Sequence, residues 1–259
     1  MDDSAPRIAE LLEPVIAIAR QAGDVVMSIY ATDFAVRGKD DASPVTEADE
    51  RAETIIVTAL RQLTPDIPIV AEEAVAAGHR PEIADRFWLV DPLDGTREFV
   101  SRNGEFTVNI ALVECGAPVL GVVYAPAIGR MFAGAAGTGA FVDDADGRRP
   151  IQCRVAPDLG LTVVASRSHG DADALDAYLA DRNVASLTSA GSSLKLCLVA
   201  NGEADLYPRL GRTMEWDIAA GHAVLAAAGG RVCDLSGATL RYGKEGFDNP
   251  HFVASGALA

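Results

Sequence analysis

The chain has 259 residues, 49% of them hydrophobic, enough to build one large domain or two closely packed ones around a substantial core. Its net charge of -15 excludes the basic surface that a nucleic-acid polymer or an anionic membrane requires. The same acidity repels a phosphorylated small molecule unless bound divalent cations invert the local field.

The N-terminus, MDDSAPRIAE, lacks the basic-then-apolar pattern of a signal peptide. No apolar run approaches the roughly 20 residues that span a bilayer. Cys115, Cys153, Cys197 and Cys233 are scattered, with no CxxC and no zinc-ligand spacing. Three of them sit in or beside apolar runs, as small core residues do. A cytoplasmic protein without a transmembrane segment is expected. That leaves room for peripheral contact at the inner face of the membrane.

From Pro14 to Tyr30, Val15, Ile18, Ala19, Ala22, Val26 and Ile29 recur at helical spacing, with Pro14 expected in the first turn. Residues Asp33 to Ser43 predict a loop or weak hairpin. A second helix is predicted over Glu47–Leu63, with Thr46 as N-cap and Ala48, Ala52, Ile55, Ala59 and Leu63 inward. Ile67–Ala71 and Phe87–Val90 are short apolar strands. Phe106–Glu114 and Pro118–Tyr124 form neighbouring strands joined by a turn at Cys115–Gly116, and Met131–Ala133 and Ala140–Val142 extend the sheet. After Pro157, strands alternate with helices. The strands are Leu161–Ala165, Val184–Leu187, Ala204–Tyr207, Arg231–Cys233 and Phe252–Ala254. The helices are Ala172–Asp181, Ser192–Ala200 and Trp216–Ala228. The pattern predicts a first half of helices and mostly antiparallel sheet and an α/β second half, meeting near residues 150–158.

Four segments carry chemistry. In FWLVDPLDGTREF, an apolar strand ends in Asp91-Pro92-Leu93-Asp94-Gly95-Thr96. Two carboxylates held by a proline can converge on hard cations, with the Leu93 carbonyl as a further oxygen. Gly95 permits close backbone approach, and a helical turn opening at Thr96 would present N–H groups to an anion. Glu72-Glu73 follows a strand directly. Asp49, in VTEAD, fits a capping box with Thr46 as well as a metal-facing role. Asp217 opens the Ala/Gly-rich segment EWDIAAGHAVLAAAGG, where the helix dipole alone would favour an acid. His79, His169, His222 and His251 are far apart in sequence and receive no catalytic role; His222 is expected to be a packed or capping residue.

Taken together, VTEAD, AEE, DPLDGT and EWDIAAG resemble the inositol monophosphatase superfamily over nearly the whole chain. The resemblance implies a layered α-β-α-β-α fold of α/β class and lithium-sensitive phosphatase chemistry with two or three Mg2+ ions. Matched by motif, it places Glu72, Asp91, the Leu93 carbonyl, Asp94 and Asp217 as metal ligands. Asp49 and Thr96, with Glu72 nearby, would orient and deprotonate the attacking water, and Gly95 and Thr96 would hold the phosphate. Among the branches, DPLDGTREF, SRSH, SAGSSLKLCLVANGEADLYPR and NPHF are similar to the CysQ-type 3'(2'),5'-bisphosphate nucleotidases. Arg212, where that branch often has proline, is a departure near the substrate mouth. The substrate implied is adenosine 3',5'-bisphosphate, a by-product of sulfate activation, hydrolysed to AMP and phosphate. Its second phosphate calls for cations, and Arg167, Lys195 and Arg209 are the candidates, with Ser192 near the ribose or capping a helix. The alternatives are an inositol-1-phosphate phosphatase and a non-catalytic cation- or nucleotide-binding module. The family contains monomers and homodimers.

Overall fold

Apolar residues on both sides of Pro14 extend the first helix, α1 (Ile8–Tyr30), so the proline lies inside it rather than in its first turn. Leu11 and Leu12 are buried and carry the apolar face N-terminal of Pro14. The carbonyl left without a proline N–H belongs to Glu10, an exposed residue, where water can serve it. The protein is described from a computed structural model over residues 7–38, 44–167 and 172–256. Parts of the expected N-terminal, Asp33–Ser43 and SRSH segments, His169 included, lie outside the described residues.

Strands β1 (Val36–Gly38) and β2 (Pro44–Thr46) pair antiparallel, as a weak hairpin. Thr46 then caps α2 (Glu47–Leu63): its hydroxyl accepts the Ala48 N–H at 3.1 Å, and Asp49 accepts the Thr46 N–H at 2.8 Å. The buried face of α2 is Ala48, Asp49, Ala52, Glu53, Ile56 and Leu60. Ile55, Ala59 and Leu63, expected inward, are only half-buried. Two acids turn inward with the apolar residues and rotate the face, which an apolar count alone misses.

The remaining elements of the first half are β3 (Ile69–Ala71), α3 (Glu72–Ala76), β4 (Arg86–Asp94), α4 (Thr96–Val100), β5 (Thr107–Glu114), β6 (Ala117–Ala125), β7 (Arg130–Ala135), β8 (Gly139–Asp144) and β9 (Gly147–Ile151). The seven strands from β3 to β9 form one sheet in sequence order, parallel between β3 and β4 and antiparallel elsewhere. Cys115 and Gly116, at φ 49° and 74°, make the tight turn between β5 and β6. Strand β9 was not expected, because GRRPI has no apolar alternation. Its arginines and proline suit an edge strand with one side unpaired.

The second half contains β10 (Leu161–Ser166), α5 (Ala172–Leu179), β11 (Val184–Ala190), α6 (Leu194–Ala200), β12 (Leu206–Arg209), α7 (Glu215–Ala227), β13 (Arg231–Asp234) and β14 (Phe252–Ser255). Its sheet runs β11-β10-β12-β14-β13, with β11, β10 and β12 parallel and β14 antiparallel to both neighbours. The crossover through α5 moves one way along the sheet and the one through α6 moves back. Right-handed crossovers therefore put the two helices on opposite faces. One core joins α1 and α2 to the large sheet. A second joins the other face of that sheet to α6, α7 and the smaller sheet. The order α-β-α-β-α follows, with α6 and α7 as the middle layer and α5, which buries no residue, outermost.

Candidate active site

Strand β4 loses register with β5 between Asp91, opposite Asn109, and Asp94, opposite Thr107. The extra residue bends the strand end and turns both carboxylates out of the sheet. Asp91 Oδ1 accepts the Leu93 N–H at 3.0 Å, closing the loop around Pro92. Gly95, at φ 90°, precedes α4; a Cβ there would lie 3.3 Å from the Glu105 carbonyl. The Thr96 hydroxyl shares its proton between Asp49 Oδ1 (3.2 Å) and the Leu93 carbonyl (3.3 Å). The other Asp49 oxygen takes the N–H and hydroxyl of Thr46, each at 2.8 Å, so the capping and site-facing roles of Asp49 coexist. Glu72 stands at the end of β3, beside Asp91. Asp217 lies in the first turn of α7 and accepts the Met214 N–H at 2.8 Å.

These groups border a cleft of about 370 Å³. Glu72, Asp91, Leu93, Asp94, Gly95, Thr96 and Asp217 line it, together with Ser192, Lys195 and Arg209. Two expected site residues do not line it. Asp49 reaches it through Thr96. Arg167 is held in a two-pronged ion pair with Glu105 (3.0 and 2.9 Å) and donates to the Ser189 carbonyl. Helix α6 starts at Leu194 rather than Ser192, and its N-cap, Ser193, makes no side-chain cap bond. The Ser193 hydroxyl instead donates to Asn109 Oδ1 at 2.7 Å, tying the start of α6 to β5 of the large sheet. Arg212 lines the mouth and pairs with Asp248 in solvent. His222 is buried against the Tyr242 hydroxyl, away from this chemistry.

Asp91, Asp94 and Asp217, desolvated and close together, resist ionisation. Burial, then the charges of Glu72, Asp94 and Asp217, push the Asp91 carboxyl well above the usual range. Burial and the charges of Asp94 and Glu72 do the same to Asp217. Asp94 rises to about 6 through burial, with the Lys195 ammonium pulling the other way and Glu98 adding to the rise. Lys195 falls to about 8 because it is buried, although Asp94 favours its charge. Its ammonium donates to the Ala190 carbonyl at 3.2 Å and to that of Ser192. Among the described residues, no three Asp, Glu, His or Cys side chains already form a closed metal cage. The fit to hard cations lies in the donor chemistry: carboxylates and a backbone carbonyl, gathered at strand ends, with surplus negative charge that a divalent ion would relieve.

The sequence reading passed over Glu53, Glu98, Glu105 and Asn109. Glu98 and Asn109 are buried beside the cleft. The Glu98 side chain would meet a Cβ at Gly191 at 2.8 Å. Asn109 is the only polar residue inside the apolar run from Val108 to Val113, which was a usable signal.

The profile of the inositol monophosphatase family matches residues 8–256. A 3'(2'),5'-bisphosphate nucleotidase CysQ of Salmonella typhimurium is 52% identical over 93% of this chain and 98% of its own length. That of Escherichia coli (strain K12) is 51% identical over 95% and 99%. The crystal structure of CysQ from Bacteroides thetaiotaomicron, a bacterial member of the same family, superposes with a TM-score of 0.79 at 39% identity, covering 94% of this chain and 96% of that one. An inositol monophosphatase from Anabaena superposes at 0.75 with 27% identity, covering 96% and 90%. Acids brought together from the start of α3, the end of β4 and the first turn of α7, in a chain matched almost end to end, place this protein in the inositol monophosphatase family.

Proposed function

We propose that the protein is a magnesium-dependent 3'(2'),5'-bisphosphate nucleotidase that converts adenosine 3',5'-bisphosphate to AMP and phosphate. The observation that carries this reading is the cleft, where buried Asp91 and half-buried Glu72, Asp94 and Asp217 share the lining with two buried cations, Lys195 and Arg209. An inositol phosphate has no need of the cationic wall, whereas a bisphosphorylated nucleotide presents a second phosphate to it. Relatives sharing about half of this sequence over nearly its full length are named for that activity.

Glu72, Asp91, the Leu93 carbonyl, Asp94 and Asp217 would hold the two or three Mg2+ ions. Bound there, the ions supply Lewis-acid polarisation of phosphoryl oxygens and acidify water. The chain's own groups do the rest. The Thr96 oxygen keeps lone pairs free for a water while its proton points at Asp49, so Asp49 is the terminal acceptor for the proton that water gives up. The water oxygen attacks phosphorus, the bond from phosphorus to the 3' oxygen breaks, and that oxygen leaves and takes a proton from solvent water to become the 3' hydroxyl of AMP, while Asp49 returns its proton to solvent. The backbone at Gly95 and Thr96, in the first turn of α4, lies where N–H groups lack intrahelical acceptors and can hold the phosphate. Lys195 and Arg209 would meet the 5'-phosphate. The four cysteines are free, as suits a reducing cytoplasm, and no described helix is long and apolar enough to cross a membrane.

Parallel assays with Mg2+ test the reading. Phosphate release from adenosine 3',5'-bisphosphate is expected to exceed that from inositol 1-phosphate by at least tenfold in kcat/KM. Preference for the inositol ester would overturn it.

A further inference from the structure

Asp49 and Glu53 share the buried face of α2, one turn apart. Asp49 engages Thr96 at the start of α4. Glu53 reaches the start of α3, where its Oε2 accepts the Glu73 N–H at 2.7 Å and its Oε1 the Ala74 N–H at 2.9 Å. The residue before α3, Ala71, has no side-chain group to cap it. Helix α3 has five residues and β3 three, too few to fix their own junction by local bonding. Glu72 is that junction, and its carboxyl lies against Asp91 in the cleft. The fork of Glu53 pins the two peptide planes that follow Glu72 and so sets the direction in which the Glu72 side chain leaves the backbone.

We infer that Glu53 is the positioning residue for Glu72, and that through Glu72 it sets the affinity of the cleft for divalent cations. This rests on the assignment of Glu72 as a cation ligand made above. One rigid helix thereby registers both sides of the site, Thr96 through Asp49 and Glu72 through Glu53. Outer partners of this kind are worth about 10–100-fold in metal affinity.

The test is calorimetric titration of the full-length protein with MgCl2 alone, in the wild type, Glu53→Gln, Glu53→Asp and Glu50→Gln. Glu50 is an exposed acid on the same helix, so its variant removes equal charge without touching the fork. Glu53→Gln is expected to weaken Mg2+ binding at least about tenfold. The Mg2+ concentration for half-maximal turnover should rise in step, with kcat at saturating Mg2+ nearly unchanged. Glu50→Gln should stay within about twofold of the wild type, as expected for a solvent-screened charge. Melting in chelator reports folding separately. Should Glu53→Gln fail to fold, Glu53→Asp carries the test: it keeps the charge but shortens the fork, and weaker binding is again expected. Wild-type Mg2+ affinity in a folded Glu53 variant, whatever its melting temperature, overturns the inference and leaves the site assignment standing. No Mg2+ binding by the wild type overturns both.

Discussion

Asp94 sits between opposing influences. Burial and nearby acids raise its carboxyl to about 6, while Lys195 draws it back. Asp94→Asn keeps the shape and removes one of the repelling charges. Turnover is therefore expected to fall by several orders of magnitude, while the melting temperature in chelator stays level or rises; near-normal activity would refute the ligand assignment. His222 offers a separate test of burial. Desolvation lowers its imidazole from 6.5 to about 4. Above pH 6.5 it is neutral in both folded and unfolded chains and costs nothing. Between 6.5 and 4 the unfolded chain takes up the proton and the native one does not, so stability is lost as pH falls, by up to about 3 kcal/mol. His222→Gln should flatten that limb in urea unfolding followed against pH. Residues of this kind differ in how plainly the sequence shows them. Asp91 and Asp94 are legible because strand, proline and glycine stand beside them. Glu105 is not, because its partner Arg167 is 62 positions away and nothing local marks it; Asn109 stands out within its apolar run, but its partner Ser193, 84 positions on, does not.

Element boundaries follow the same logic. Helix α2 starts and stops where its cap and pattern predict, yet its buried face is turned by Asp49 and Glu53. In α7 the apolar residues run all the way round, and nearly every position from Glu215 to Leu225 is buried. That marks a helix covered on all sides, and it lies between the two sheets. Close approach makes this possible. A Cβ on Gly121 of β6 would fall 2.2 Å from the Ala220 carbonyl and 2.8 Å from Ala223 Cβ. Gly121→Ala must push α7 off the sheet, and with it Asp217. A loss of about 1–3 kcal/mol or more in urea unfolding is expected, with a larger drop in activity than the stability loss explains. Unaltered stability would mean that the contact yields easily.

For the whole molecule, hydrophobic periodicity made legible a first half of helices and mostly antiparallel sheet and an α/β second half, while the order of the layers came from the family resemblance of the motifs. Strand β9 was not legible, since an edge strand needs no apolar face. The folded chain gathers carboxylates that repel one another, so cation binding should reach global stability. Mg2+ at a hundred times its dissociation constant is expected to add about 2.7 kcal/mol by mass action and to raise the melting temperature. A melting temperature indifferent to both Mg2+ and chelator would contradict the proposed ligands.

The central position of α7 also bears on how the protein is made. Among the described residues it is the last helix longer than a single turn, and it carries Asp217. A ribosome that has released everything up to Arg209 has delivered the outer helices α1, α2 and α5, the complete seven-stranded sheet and α6, but not α7, the longer helix of the layer that separates the sheets. Until Ala227 emerges, the growing polypeptide exposes two unmatched oily surfaces and an acid cluster short of a member. Protection from aggregation and competence for chemistry therefore arrive together, with α7.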